Sequence, residues 1–272
     1  MIADLAARIE AARGAVLAQT EFMHREFGRV ESRWKSDGTR VTAADIAISE
    51  GIFRGLQAQF PADQFFSEEL PEADVPAAVS ARYSWILDPI DGTNNFALGI
   101  PQCAISLALA EWGEPIYGVV YDFGRRVLMH GGPGFGMHDG DRIAAVSTRP
   151  PHAETLVGLH SPIDKKLVPL AEGILARFKI RGLGSATLHL AYVAAGLLDA
   201  SVDFNVKIWD LAAAIPLCRA AGGEVHFLNG PQLPMRRFDV RMGRIVYVAG
   251  NPAMCAALRE PMDLRVFRGG QT

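Results

Sequence analysis

The chain has 272 residues, of which 49% are hydrophobic and 21% are charged, and its net charge is −3 at pH 7. This length allows one large domain or two small ones with a substantial core, and a weakly acidic chain without a run of Lys and Arg gives no indication of a nucleic-acid partner. No segment approaches the roughly 18 apolar residues of a membrane span, and the N-terminal segment does not resemble a signal peptide.

The first half of the chain is predicted to contain two helices followed by strands. Apolar residues near helical spacing predict a helix over most of 4–27. The segment from Thr42 to Asp45 has the pattern of a capping box, which opens a second helix that Pro61 ends. Strands are then predicted at 63–70 and 83–88, a short helical turn at 93–99, and a hairpin of strands at 103–110 and 116–123.

The second half, from about residue 138, is predicted to alternate strands and helices, which is typical of an α/β layer. Pro216 is expected to kink one helix, and Asn251 is expected to cap the last one, with Pro252 at its first position. The predicted strands are 154–160, 179–184, 200–205, 224–228 and 244–249, and the predicted helices are 165–178, 185–198, 211–223 and 251–260. The expected division is therefore an N-terminal α+β half, 1–137, and a C-terminal α/β half, 138–272.

Three cysteines, Cys103, Cys218 and Cys255, are far apart in the sequence. Their odd number and their spacing match neither a disulfide framework nor a metal site. They are predicted to be reduced core thiols of a cytoplasmic protein.

The segment WILDPIDGTNNF, residues 85–96, leads an apolar strand directly into Asp88 and, three residues later, Asp91. Asp-Pro and Asp-Gly are common turn dipeptides, which explains Asp91 better than Asp88. Carboxylates near a core are unfavourable unless a cation meets them, and two acids at this spacing with a carbonyl between them suit Mg²⁺. Phosphatases with an aspartyl nucleophile have a similar loop, but their two aspartates are two residues apart, which disfavours that interpretation.

Other acids have an ordinary structural explanation when each is taken alone. Asp45 suits the capping box, Glu68 a solvated strand end, Asp210 a helix N-cap and Asp203 a polar strand position. Their order along the chain is more informative than any one of them.

This order resembles that of the inositol monophosphatase family of metal-dependent, lithium-sensitive phosphatases. The similarity covers roughly residues 1–260 and is carried by VTAAD, SEE, WILDPIDGTNNF, GSA and WDLAAAIPLCRAAGG, in that order. It implies a layered α-β-α-β-α sandwich, of the kind shared with fructose bisphosphatases.

The resemblance implies a site for two or three Mg²⁺ ions. One ion would be held by Glu68, Asp88 and the carbonyl of Ile90, and a second by Asp88, Asp91 and Asp210. A third, weaker ion would lie by Glu68 on the side of the attacking water, which makes Glu68 a catalytic residue as well.

The resemblance also implies roles for residues around the metals. Thr93, oriented by Asp45, would position or deprotonate the attacking water. Backbone N–H groups of Gly92, Thr93 and Asn94 would hold the phosphate at a helix start.

The alcohol part of the substrate would face the loop Gly184, Ser185 and Ala186, together with Asp203. Asp203 stands where the inositol enzymes have a longer glutamate.

The implied function is hydrolysis of a small polyol or sugar phosphate by direct attack of metal-activated water, with inositol monophosphate as the first candidate. Fructose-1,6-bisphosphatase and histidinol-phosphatase activities are the alternatives within the family, and the expected assembly is a cytoplasmic homodimer without a nucleic-acid or membrane partner. A non-catalytic regulatory binder that kept the fold is the alternative of a different class. The presence of every expected metal ligand and of the Thr93–Asp45 pair favours the enzyme.

Overall fold

The computed structural model describes residues 2–34, 40–69 and 75–260. Within these residues the chain forms eight helices and sixteen strands. The helices are α1 (Ile2–Glu26), α2 (Ala43–Gln59), α3 (Thr93–Leu98), α4 (Val168–Leu175), α5 (Ala186–Ala194), α6 (Ile208–Ala212), α7 (Ala214–Ala220) and α8 (Pro252–Arg259). The strands are β1 (Ser32–Trp34), β2 (Arg40–Thr42), β3 (Gln64–Ser67), β4 (Ala77–Ala78), β5 (Tyr83–Asp91), β6 (Ala104–Glu111), β7 (Glu114–Asp122), β8 (Val127–Gly132), β9 (Gly136–Asp139), β10 (Arg142–Ile143), β11 (Leu156–Leu159), β12 (Lys179–Arg181), β13 (Ala200–Val206), β14 (Glu224–Phe227), β15 (Arg237–Phe238) and β16 (Ile245–Gly250).

Two sheets hold most of these strands. In the part of the chain that the structure describes, the first sheet has the order β10-β9-β8-β7-β6-β5-β3, in which only β3 runs parallel to its neighbour. The second has the order β12-β11-β13-β16-β14, with β11 parallel to β12 and β13, and β16 antiparallel to both of its neighbours. Short pairs join β1 to β2 and β4 to β15.

The sheets and helices form layers. Helices α1 and α2 pack on one face of the first sheet, with Ile48, Trp85 and Val119 in the core between them. Helices α5, α6 and α7 lie between the two sheets, and α4 and α8 cover the far face of the second. The predicted α-β-α-β-α sandwich is therefore confirmed, because each sheet buries both of its faces against helices.

The capping box predicted for α2 is present. Thr42 accepts a hydrogen bond from the backbone N–H of Ala44, and the carboxylate of Asp45 accepts one from the N–H of Thr42 at 2.7 Å. Asn251 caps α8 by accepting from the N–H of Met254, with Pro252 at the first helical position, as predicted.

The helix predicted at 211–223 is observed as two helices that meet at Ala213, and it starts earlier, at Ile208. The break has a local cause. Pro216 has no N–H to donate, and its ring would clash with the carbonyl group four residues before it, that of Ala212, where α6 ends.

The division of the chain into two halves at residue 137 stays a prediction, and two strands bear on its position. Strand β9 crosses the predicted boundary, and β10 still belongs to the first sheet. The hairpin of β8 and β9 escaped prediction because its glycines, among them Gly131, Gly132 and Gly136, weaken the strand pattern. The end of the predicted strand at Leu70 and residues 261–272 of the second half lie outside the described residues.

All three cysteines are buried free thiols, as predicted. Among the described residues, no helix is both long enough and apolar enough to cross a membrane.

Candidate active site

A cleft of about 430 Å³ is lined by residues from both halves of the chain. Four acidic residues line it: Glu68, Asp88, Asp91 and Asp210. Carboxylate oxygens of Asp88, Asp91 and Asp210 lie within 4.8 Å of one another. The structure thus brings together the four acids that the sequence predicted as metal ligands, and Ile90 lines the same cleft.

The end of β5 explains how two acids three residues apart reach one point. In a regular strand, residues at an odd separation project from opposite faces. Here Asp88 pairs with Ser106 and Asp91 pairs with Ala104, so β5 has one residue more than β6 between the two pairs. Such a bulge changes the direction of the following side chain, and Pro89, which cannot donate to the sheet, lies inside it.

Asp91 is held in place by the start of α5. Its Oδ2 accepts hydrogen bonds from the hydroxyl group of Ser185 and from the backbone N–H of Thr187, both at 2.6 Å. The same Ser185 hydroxyl caps α5 by accepting from the N–H of Leu188. Ser185 is fully buried, so it orients a carboxylate of the cluster instead of facing the substrate as predicted.

Asp210 has a structural role and a position in the cluster. It is the third residue of α6, whose N-cap is Lys207, and its Oδ2 accepts from the backbone N–H of Lys207 at 2.7 Å. The carbonyl of Asp210 accepts from the hydroxyl group of Thr187, which ties α6 to α5. The capping explanation and the metal-ligand explanation of Asp210 are therefore compatible.

Electrostatics at the cluster favour a cation. Burial, followed by the charges of Glu68 and Asp91, raises the pKa of Asp88 well above its usual range. Burial and the charge of Asp91 likewise raise the pKa of Asp210. Asp88 is 2% exposed, and its Oδ1 has no hydrogen-bond partner among the described residues.

An oxygen-preferring divalent cation fits this donor set. A buried carboxylate oxygen without a donor is strongly unfavourable, and acids this close repel one another unless a positive charge lies between them. The grouped oxygen atoms all belong to carboxylates, and such a set suits Mg²⁺ or Ca²⁺ better than the softer transition metals.

Thr93 and Asp45 lie together beside the cluster. The hydroxyl group of Thr93 has two acceptors within reach, the carbonyl of Ile90 at 2.9 Å and Oδ1 of Asp45 at 3.3 Å. The other oxygen of Asp45 accepts from the N–H and the hydroxyl group of Thr42. The capping box of α2 thus orients Asp45 towards Thr93.

The loop before α3 requires a glycine. Gly92 has a φ of 90°, and a Cβ atom there would lie 2.8 Å from the carbonyl oxygen of Gln102. Asn95 fastens this loop to the second half by donating to the carbonyls of Gln102 and Leu183 at 2.7 and 2.8 Å. Sequence reasoning had assigned no role to Asn95.

The three residues predicted to bind phosphate, Gly92, Thr93 and Asn94, line the cleft. Gly184 and Ala186, predicted to face the substrate, line it as well. Their contacts with a ligand stay predictions.

Asp203 does not lie where it was predicted. Its side chain is fully buried and is not part of the cleft wall. It accepts hydrogen bonds from the backbone N–H of His160, from the hydroxyl group of Tyr247 at 3.0 Å and from Nδ1 of His189 at 3.3 Å. Because Nε2 of His189 accepts from the N–H of Leu183, its Nδ1 carries the proton. Asp203 therefore supports the cleft wall from behind, since its carboxylate is satisfied by donors within the fold.

Several other polar residues of the cleft were not predicted from the sequence. They are Arg40, His160, Asn205, Lys207 and Arg244. Among these five, only Lys207 could have been placed near the site from the sequence. It lies three residues before Asp210, and a residue at a helix N-cap lies beside the side chain of the third helical residue.

Comparison with known proteins identifies relatives over nearly the whole chain. A sequence model of the inositol monophosphatase family matches residues 3–262. The chain is 33% identical over 256 residues to the inositol-1-monophosphatase of Mesorhizobium japonicum, a match that covers 89% of this chain and 92% of that protein. It is 31% identical over 207 residues to the Nus factor SuhB of Pasteurella multocida, covering 74% and 76% of the two chains. The crystal structure of the extragenic suppressor protein suhB of Bartonella henselae superposes with a TM-score of 0.81 and 28% identity, over 97% of this chain and 99% of that one.

Proposed function

Because this chain belongs to the inositol monophosphatase family, whose members are metal-dependent, we propose that it is a Mg²⁺-dependent phosphomonoesterase acting on a small polyol or sugar phosphate. Inositol monophosphate is the reference substrate, and fructose 1,6-bisphosphate and histidinol phosphate are the alternatives within the family. The observation that carries the proposal is the buried Oδ1 of Asp88, which lies within a group of carboxylates and has no hydrogen-bond partner in the part of the chain that the structure describes.

In this proposal Glu68, Asp88 and the carbonyl of Ile90 hold one ion, and Asp88, Asp91 and Asp210 hold a second. A third ion by Glu68 belongs to the same proposal. Bound Mg²⁺ supplies Lewis-acid stabilisation of the charge that develops on the phosphoryl oxygens. Ser185 and Thr187 support this role because they hold one oxygen of Asp91 in a fixed direction.

Thr93 and Asp45 move the proton of the attacking water in the proposed reaction. The Thr93 hydroxyl accepts a proton from water as it passes its own proton to Oδ1 of Asp45, which lies 3.3 Å away. The water oxygen forms a bond to phosphorus, and the ester P–O bond breaks. The leaving alkoxide takes a proton from solvent water, and Asp45 later returns the proton it received to solvent. Gly92, Thr93 and Asn94 hold the phosphate meanwhile.

We propose that this attack is direct, without a phosphorylated enzyme. Oδ2 of Asp91 already accepts two hydrogen bonds at 2.6 Å, which makes it a poor nucleophile. A single turnover in ¹⁸O-labelled water should place the label in the released phosphate and leave no phosphate on the protein after acid quenching. A phosphorylated Asp88 or Asp91 would instead support the aspartyl-nucleophile mechanism.

Phosphate release from inositol 1-phosphate, fructose 1,6-bisphosphate and histidinol phosphate tests the activity. We expect release with Mg²⁺, inhibition by Li⁺ and by Ca²⁺, and no release in excess chelator. Asp210→Asn should be inactive, whereas Asp141→Asn, which changes an exposed acid on a different surface, should retain activity. Full activity in chelator would contradict the proposal.

A regulatory role without catalysis is the second candidate. It is supported by the relative named Nus factor SuhB, which is 31% identical to this chain. The six residues Asp45, Glu68, Asp88, Asp91, Thr93 and Asp210 favour catalysis, because a binder has no need to bring four acids into one cleft beside a paired hydroxyl group and carboxylate. Absence of phosphate release from all three esters with Mg²⁺ would favour the regulatory role.

We also propose that the protein is a homodimer and that it is located in the cytoplasm. Size-exclusion chromatography with light scattering tests the proposed dimer.

A further inference from the structure

The cleft has a basic wall that the proposed reaction does not use. Arg40, Lys207 and Arg244 line the same cleft as the acidic cluster. Ile245, the first residue of β16, pairs with Val206 at the end of β13. Arg244 therefore lies beside Lys207, on the side of the cleft that the second sheet contributes.

Arg244 is available to a ligand. Its side chain is exposed and makes no ion pair or hydrogen bond within the described part of the chain. Lys207 differs, because its amino group donates to the carbonyl of Met242. A guanidinium group in a ligand cleft is a planar fork of donors that matches a carboxylate or a phosphate.

The side chain of Arg40 is fixed by its neighbours on the side of the cleft that the first half of the chain contributes. One of its terminal nitrogens donates to the hydroxyl group of Ser32 at 3.0 Å, and its guanidinium lies over the ring of Trp34, 4.4 Å from the ring centre. These neighbours fix the direction of the guanidinium without neutralising its charge. The two arginines thus present positive charge to the cleft from opposite halves of the chain.

The position of Asp203 removes the acid that would repel an anion on this wall. Its carboxylate lies behind His160 and is occupied by three donors. The wall that was expected to present an acid to the alcohol part of the substrate instead presents Asn205, Lys207 and Arg244.

We propose that Arg244, with Arg40, forms a subsite for a second anionic group, so that the preferred substrate is a phosphate ester that carries another phosphate or a carboxylate. This inference rests on the proposed phosphatase function and ranks its candidate substrates. A bisphosphate or a phosphorylated acid is favoured over inositol monophosphate, whose ring is uncharged, and histidinol phosphate, which carries a positive group, is disfavoured.

Binding of three phosphonates that cannot be hydrolysed tests the subsite independently of turnover. Propylphosphonate, 3-phosphonopropionate and 3-aminopropylphosphonate differ at the far end only, which is neutral, negative or positive. In titration calorimetry with Mg²⁺ we expect the carboxylate compound to bind about 10- to 100-fold more tightly than the neutral one, and the amine to bind most weakly. Equal affinities, or tightest binding of the amine, would overturn the proposal.

Variants assign the preference to Arg244. Arg244→Ala should reduce the ratio of affinities for 3-phosphonopropionate and propylphosphonate about tenfold, and Arg244→Lys should restore part of it. Arg259→Ala, at an exposed position on α8, removes the same charge away from the cleft and should leave the ratio unchanged. An unchanged ratio in Arg244→Ala would exclude this residue.

The activity measurement compares fructose 1,6-bisphosphate with fructose 1-phosphate, and it tests whether a second phosphate is preferred over a hydroxyl group at the far end of the substrate. We expect kcat/KM to be higher for the bisphosphate, with a preference that weakens at high salt. If neither of these esters, nor inositol 1-phosphate or histidinol phosphate, is hydrolysed but the phosphonate preference persists, the phosphatase proposal fails and the subsite stands. If both are hydrolysed without preference and the phosphonates bind equally, the subsite fails and the phosphatase proposal stands.

Discussion

Two buried carboxylates in this chain have opposite surroundings. Asp88 and Asp139 are 2% and 8% exposed. Asp139 lies between Arg125 and Arg142, each with a nitrogen 2.8 Å from one of its oxygens. Asp88 instead lies near other acids, and the charges of Glu68, Asp91, Asp210 and Asp45 act on it.

The pKa directions of these two acids follow from their neighbours. Burial raises the pKa of both, but at Asp139 the hydrogen bonds and charges of Arg125 and Arg142 outweigh burial, and its pKa is lowered. At Asp88 the neighbouring acids act in the same direction as burial, and its pKa is raised well above the usual range. The chain supplies its own cations to Asp139, whereas in the proposed function a bound ion would supply the positive charge at Asp88.

The largest effect is expected at the acid that has no cation of its own. Asp88→Asn should lower kcat/KM by about 10³-fold or more, because Lewis-acid stabilisation by a metal contributes several kcal/mol to catalysis. In excess chelator the variant should be at least as stable as the wild type, since the substitution removes a repelled charge. Mg²⁺ at a hundredfold excess over its dissociation constant should raise the melting temperature of the wild type by about 5 °C and that of the variant little. Strong destabilisation of Asp88→Asn in chelator would show that Asp88 is a structural acid like Asp139.

A smaller effect on activity is expected at Thr93, the hydroxyl group through which Asp45 acts in the proposed reaction. Thr93→Val keeps the shape of the side chain and removes the proton path to Asp45, so kcat should fall about 10²-fold. Stabilisation by Mg²⁺ should persist, because the metal ligands are intact. Thr93→Ser, which keeps the hydroxyl group, is the matched control and should recover most of the activity. Loss of Mg²⁺ stabilisation in Thr93→Val would place Thr93 among the metal-binding groups.

Asp203 is a third buried acid that can be compared with Asp88 and Asp139. Its carboxylate accepts hydrogen bonds from a backbone N–H, a hydroxyl group and an imidazole, and not from arginines. Asp203→Ala leaves the N–H of His160 and the hydroxyl group of Tyr247 without their acceptor in a buried region, and should lower the free energy of unfolding by about 2 kcal/mol. Urea titration measures this change, with the exposed Asp141→Ala as control. Unchanged stability together with altered substrate preference would restore the role predicted from the sequence.

The smallest expected effect is the contribution of Asp139 to the pH dependence of the free energy of unfolding. Because its pKa is lowered in the folded state, its contribution to stability is complete above the unfolded value of about 3.9 and is lost as pH falls through the folded value. The free energy of unfolding of the wild type should therefore decrease more steeply below about pH 4 than that of Asp139→Asn. Urea titrations at a series of pH values compare the two slopes, and parallel curves would contradict the proposed action of Arg125 and Arg142.

Local patterns in the sequence were sufficient for most helices, whereas the acids of the candidate site were indicated only by their joint order along the chain and by the family resemblance that this order carries. The capping box at Thr42 and the Asn251–Pro252 start of α8 depend on contacts within a few residues, so they could be recognised directly. The glycine-rich hairpin of β8 and β9 could not, because it is stabilised by the pairing of β8 with β7 and of β9 with β8, and not by the strand preference of its own residues.

By itself, the sequence determined which residue types could meet a cation and in which order they occur along the chain. The tertiary structure decided which of these residues lie together in the cleft. The bulge in β5 turns Asp88 and Asp91 to one side, and the start of α5 takes Ser185 away from the substrate to hold Asp91. The tertiary structure also buries Asp203 behind the cleft wall, and the pairing of β16 with β13 places Arg244 in that wall. These outcomes depend on strand register and on contacts between distant segments, whose physical cause is packing between layers and not any local pattern of residues.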